Sequence, residues 1–190
     1  MADKKDAEPE LDEDGLVVQK YLSTVLVVVP GKGYDETAMR YARSALYNVH
    51  VGTRSVSNEA DDEILGRLQD LFVVDGPLSG ESMEDYSGVI FVDGDDSIAD
   101  DPAVLQLARD AHADEKLVGA WGRSVRVLAR AGIVKGRKIT GDDAAKDDIK
   151  SAGGKWLGVE WHRDGHIVTA RDEAAGLRFG KALAQVVAIL

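Results

Sequence analysis

Cysteine is absent from this 190-residue chain, and with it go disulfides, thiolate metal sites and every covalent mechanism that attacks through sulfur. Continuous apolar runs are short. None approaches the roughly 18 to 20 residues that cross a bilayer, so no membrane-embedded segment is expected. The N-terminus is acidic where a secretory leader would be basic and then apolar, which predicts a cytoplasmic protein. Basic residues are outnumbered, 23 Lys and Arg against 34 Asp and Glu, for a formal charge of −11. Phosphate contacts need clustered Lys and Arg, so neither nucleic acid nor a membrane surface is an expected partner.

The charge is unevenly placed. Residues 1–14 hold seven acids against Lys4 and Lys5, a net −5. Such a stretch has too little apolar surface to offset the entropy of ordering it, so residues 1–20 are expected to form a flexible acidic arm. The remainder, 21–190, is long enough for a single domain with a sizeable core.

Within that domain the hydrophobic pattern alternates between strand and helix. Residues 24–29 form a β-branched run closed by Pro30-Gly31, the signature of a strand buried on both faces. A helix is expected over 35–46, then strands at 48–53, 71–74 and 88–93. Asp101-Pro102 supplies an N-cap and a first-turn proline for a helix whose Val104, Leu107, Ala108 and Ala111 share one face. Residues 116–121 read as a strand that runs through Gly122 directly into a helix capped by Gly132. A strand at 137–140, a helix from Asp142 to about Gly153, a hairpin at 156–162 and 166–170, and a helix over 172–189 complete the order. Strands alternating with helices in this way predict an α/β sandwich around a mostly parallel sheet.

Residues 131–173 resemble the C-terminal half of PfpI-type intracellular proteases and amidases of the ThiJ/PfpI superfamily. The likeness rests on Ala131 to Lys138 (AGIVKGRK), Lys146 to Ile149 (KDDI), Ala152-Gly153 and Val168 to Arg171 (VTAR). Upstream, Tyr86 to Gly94 is similar to the family's strand and Gly-Gly turn, and Lys116 to Gly132 to its nucleophile elbow. The resemblance implies a flavodoxin-like three-layer sandwich, akin to class I glutamine amidotransferases, that assembles with itself as a homodimer or larger oligomer.

Against that pattern the chemistry is missing. The family's elbow reads Ala-hydrophobic-Cys-His-Gly, and an ungapped match puts Gly122 on the cysteine, Arg123 on the histidine and Ser124 on the glycine. A thiolate at a tight strand-to-helix turn is what the reaction needs, and glycine has no attacking atom. The Gly-Gly turn reads Asp93-Gly94, which sets a carboxylate where negative charge would develop. The family's supporting glutamate falls on Ala38, or on Glu36 after a two-residue shift. No catalytic residue, cofactor or metal is therefore assigned. The expected role is a non-catalytic oligomeric scaffold or a binder of a small anion such as a carboxylate, using Gly94, Trp121, Gly122, Arg123 and Ser124. The alternative is a hydrolase of the protease, amidase or deglycase kind acting without cysteine.

Elbow geometry strains ordinary residues and suits glycine, so Gly122 is expected at positive φ, with Gly122→Cys costing about 1 kcal/mol. Arg123 could pair with an anion alongside free helix amides, or with Asp93 or Asp95 in a surface ion pair. Ser124 reads as a first-turn cap or, less naturally, a substitute nucleophile. Trp121, larger than the aliphatic residue usual before the elbow, reads as core packing or, alternatively, as filling part of the ancestral pocket. The acids Asp93, Asp95, Asp96, Asp100 and Asp101 lack the ligand alternation of a calcium loop. His162 and His166 flank a turn, as two metal ligands could. Gly31-Lys32-Gly33 follows a strand but lacks the full phosphate-loop frame.

Overall fold

A computed structural model describes residues 21–59 and 62–189. The acidic arm expected over 1–20 lies outside them. The elements run β1 (Ser23–Val28), α1 (Glu36–Tyr47), β2 (Val51–Ser57), β3 (Glu63–Leu65), β4 (Leu71–Val73), β5 (Gly76–Pro77), β6 (Gly88–Phe91), α2 (Pro102–Ala113), β7 (Leu117–Trp121), α3 (Val125–Arg130), β8 (Lys138–Ile139), α4 (Lys146–Ser151), β9 (Lys155–Trp156), β10 (Trp161–Asp164), β11 (Ile167–Ala170) and α5 (Gly176–Val187).

Seven strands form one sheet in the order β10-β11-β7-β6-β1-β2-β5, parallel except for the β10–β11 hairpin. The runs that read as doubly buried strands sit at its centre: Val25 to Val28 and all of β6 and β7 are buried. Burying each Val, Leu or Phe side chain there contributes about 1.5–3 kcal/mol. One face of the sheet packs α1 and α5 through Ala38, Met39, Leu46, Phe179 and Leu183. The other packs α2, α3 and α4 through Val104, Leu107, Leu128 and Ile149. The result is the three-layer flavodoxin-like sandwich. Helices α1 and α5 touch because Gly180 has no side chain: a Cβ there would lie 2.7 Å from the carbonyl oxygen of Tyr41.

Several expected elements shift. Strand β2 begins at Val51 rather than 48, because the amides of Asn48, Val49 and His50 bond back to Ser44, Leu46 and Tyr47 and His50 turns at φ 58°. The strand expected at 71–74 joins β3 in a separate antiparallel pair, and the one at 137–140 pairs only with β9. Neither joins the main sheet. The last helix opens with a 3-10 turn at Glu173–Ala175 under an Asp172 cap. Among the described residues no helix is long and apolar enough to cross a membrane.

Candidate functional site

The C-terminal ends of β1, β6 and β7, three neighbours in a parallel sheet, deliver Asp35, Asp93 and Gly122 to one place, the edge where open α/β sheets bind ligands. Gly122 lies between β7 and α3 at φ +62°, as the elbow reading requires. The position a side chain would take is filled. A Cβ on residue 122 would collide with the carboxylate of Asp93.

That carboxylate is only 7% exposed and is held from two sides. Its Oδ1 accepts from the Arg123 amide at 2.8 Å, and its Oδ2 accepts from Arg67 Nη2 at 2.6 Å. Arg67 comes from the turn between β3 and β4, and its Nε also donates to the Gly33 carbonyl at 3.1 Å. An elbow amide is a ready partner for an anion, and here the protein supplies its own. The acid that would repel a developing oxyanion is thus the centre of an internal ion pair.

Each residue singled out from the sequence has a definite place. The guanidinium of Arg123 donates to the Gly94 carbonyl and lies 3.9 Å from Asp96, so its ion pair is with Asp96 rather than Asp93 or Asp95. Ser124 is buried, and its hydroxyl faces the carbonyls of Phe91 and Trp121, each at 2.8 Å. It makes no cap, and neither carbonyl partner can serve as a base. It ties the elbow to the end of β6. Trp121 is fully buried against Phe179, ring centroids 5.4 Å apart, while its indole donates to Asp35 Oδ2 at 3.0 Å. Gly94 is buried under Pro30. Of the two positions matched to the supporting glutamate, Ala38 is core, and Glu36 turns to the hairpin, where Oε1 accepts from the Leu68 amide at 2.5 Å.

Sequence reasoning missed Asp35 and Arg67. Asp35 caps α1 through the Ala38 amide at 3.0 Å and reaches the elbow through Trp121. Burial raises its pKa above the usual carboxylate value, with the bonds from Ala38 and Trp121 opposing that rise. An acid one residue before a helical pattern is a readable N-cap signal. Arg67 lies in a stretch without periodicity, and nothing in its neighbourhood marks it.

The remaining acids of the loop are individually engaged. Asp95 accepts from the Ser97 amide, Asp96 pairs with Arg126, Asp100 with Arg130, and Asp101 caps α2. His162 pairs across the hairpin with Thr169, whereas His166 hydrogen-bonds His112 of α2, Nε2 to Nδ1 at 2.8 Å. In the Gly31-Lys32-Gly33 turn the two glycine amides donate to Ser97 Oγ and the Leu65 carbonyl, so those two amides are not open to a phosphate.

A mostly parallel sheet sandwiched by helices, with a glycine turn between β7 and α3, defines an α/β sandwich of the flavodoxin-like class. The profile of the DJ-1/PfpI family matches residues 23–186, and the chain belongs to that family. It is 26% identical over 161 residues to an uncharacterized protein of Methanocaldococcus jannaschii, covering 82% of this chain and 78% of that one. Over 67 residues it is 38% identical to a deglycase of Thermococcus kodakarensis and 33% to a deglycase of Pyrococcus horikoshii, spanning 40% of each. A ThiJ/PfpI domain protein of Brachyspira murdochii superposes with a TM-score of 0.83 at 21% identity, covering 90% of this chain and 99% of that one. Drosophila melanogaster DJ-1beta superposes at 0.78 and 18% identity, covering 87% and 90%. At those identities the two superpositions speak to fold alone.

Proposed function

We propose that this chain is a non-catalytic member of the DJ-1/PfpI family, a cytoplasmic scaffold that assembles with copies of itself and uses the elbow as a structural tie. One observation carries the reading: the Asp93 carboxylate, locked by Arg67 and the Arg123 amide, stands where a nucleophile on residue 122 would stand. A thiol-dependent reaction has no atom to begin with, and the anion-stabilising amide is already engaged. The assembly surface is the α1–α5 face, where Tyr41 and Leu177 expose 44% and 52% of their surfaces beside a groove of about 380 Å³.

The test is direct. Purified protein is assayed with methylglyoxal and peptide substrates beside the Pyrococcus deglycase, and sized by sedimentation velocity. The expected result is no turnover and a dimer or larger species that Leu177→Glu dissociates. Turnover above background would overturn the non-catalytic reading in favour of a cysteine-independent hydrolase, the alternative that the two relatives named deglycases support. A wild-type monomer would overturn the assembly.

A further inference from the structure

Away from the elbow, α1 and the β3–β4 hairpin enclose a groove of about 610 Å³, within the range of pockets that hold small molecules. Arg43 projects into it from α1. Its guanidinium lies 5.2 Å from the ring centroid of Phe72 and 5.7 Å from that of Tyr47. Nε donates to Thr53 Oγ1 at 3.2 Å and Nη2 to the Tyr47 hydroxyl at 2.9 Å, and that hydroxyl is itself 2.7 Å from Thr53 Oγ1. Two rings and two hydrogen bonds thus fix a planar cation in place.

The acids that line the same groove are engaged elsewhere. Asp70 pairs with Arg40 at 3.4 Å, and Glu36 accepts the Leu68 amide. Among the described residues Arg43 meets no carboxylate, and its Nη1 makes no hydrogen bond. What remains of the guanidinium, Nη1 and the second hydrogen of Nη2, is a pair of donors held rigid beside an apolar wall of Met39, Leu71 and Phe72.

We propose that this groove binds a small organic carboxylate with an apolar or aromatic body, the carboxylate on Arg43 and the body against Met39, Leu71 and Phe72. A monoanion fits better than a dianion, because the other cation of the lining, Arg40, is already paired with Asp70, and a second negative charge would face Glu36 as well. The site uses none of the elbow residues, so it stands whether or not the elbow is silent.

Phenylacetate, phenylacetamide and phenyl phosphate would be titrated calorimetrically into the full-length protein. Phenylacetate should bind, with the isosteric amide and the phosphate each weaker by about tenfold or more, the equivalent of 1.4 kcal/mol. Arg43→Gln should weaken phenylacetate by a similar factor. Because Arg43 also packs, Leu71→Trp is the second variant: Leu71 is 59% exposed and lines the groove, so a larger ring there occupies the groove while the Arg43 side chain is retained. Loss of phenylacetate binding in Leu71→Trp supports the site. Absence of binding at millimolar concentrations, amide or phosphate binding as tight as phenylacetate, or unchanged binding in Leu71→Trp would overturn it.

Discussion

The indole nitrogen of Trp121 donates to Asp35 at 3.0 Å, and the other oxygen of that carboxylate caps α1 through the Ala38 amide at 3.0 Å. One buried acid therefore fixes both the last residue of β7 and the start of α1. Trp121→Phe keeps the ring packing on Phe179 but leaves a buried carboxylate oxygen without its donor, a loss of about 1–3 kcal/mol that urea unfolding would measure. No change in the unfolding midpoint would mean that the bond carries no stability.

The same acid sets a pH dependence. Burial first, partly offset by its two hydrogen bonds, raises its pKa above the ordinary 3.8. With the folded value above the unfolded one, its stabilising contribution is complete below the unfolded pKa and is lost as pH rises through the folded pKa. Asp35→Asn abolishes that titration, so the stability of Asp35→Asn relative to wild type should rise with pH over the window that opens at the ordinary 3.8 and closes above the folded pKa. A difference that stays flat across the window would refute the assignment.

Restoring the family's nucleophile should be harmful for a reason beyond backbone strain. The sequence suggested a cost of about 1 kcal/mol for leaving glycine at positive φ. The structure adds a collision with Asp93, so Gly122→Cys should cost about 2–4 kcal/mol in unfolding free energy. Asp93→Gly in the same chain removes the obstacle, and the double variant should be more stable than the sum of the single changes by about 1 kcal/mol or more. Strict additivity would show that residue 122 and Asp93 do not share the space.

Breaking the ion pair from the other side tests what Arg67 does. Its loss leaves a nearly buried carboxylate with only the Arg123 amide. Arg67 is 39% exposed, so water recovers part of the deficit, and Arg67→Met should cost about 2 kcal/mol rather than the larger figure of a fully buried pair. Asp93→Asn combined with Arg67→Met should recover much of that loss, since no charge then remains to be stranded. Thermal unfolding of Arg67→Met and of the double variant decides it: a double variant no more stable than Arg67→Met would show that the stranded charge is not the cause.

How much of this was legible beforehand depends on the kind of signal. Strands β1, β6 and β7 announced themselves as unbroken apolar runs, and α2 by its Asp-Pro start and repeating face, because burial writes periodicity into local sequence. Gly122 was legible as an elbow because the run from Lys116 to Gly132 resembles the family's strand, turn and helix, and glycine tolerates the positive φ of such a turn. What could not be read is what depends on long-range pairing. Arg67 reaches Asp93 across 26 positions, and Trp121 reaches Asp35 across 86. Hairpin β3–β4 supplies Arg67 and the Asp70, Leu71 and Phe72 wall of the groove; its strand at 71–74 was legible, but its partner β3 was not, since Leu65, Leu71 and Val73 are exposed apolar residues without clean alternation. Ser124 read as a cap because its position fits one. Only the nearness of the Phe91 and Trp121 carbonyls redirects its hydroxyl.

The His112–His166 pair supplies the last prediction. A ring-to-ring hydrogen bond of 2.8 Å needs one nitrogen protonated and the other bare, so the doubly charged pair cannot form it. Burial lowers the pKa of both rings below the ordinary 6.5, reinforced by Arg137 and, for His166, by His112 itself, against the opposing charges of Glu115 and, for His166, Asp164. A folded value below the unfolded one means that the unfolded chain binds more protons in the window between them. The contribution is therefore present above about pH 6.5 and lost as pH falls through the folded values. Wild-type protein should lose melting temperature as pH falls below about 6.5, and His112→Gln with His166→Gln should flatten that decline, since neither amide titrates. The pair joins the end of α2 to the start of β11, so the acid-induced loss should appear first as faster hydrogen exchange there, with the elbow amides unaffected. An acid decline as steep in the double variant as in wild type would assign it to the carboxylates instead.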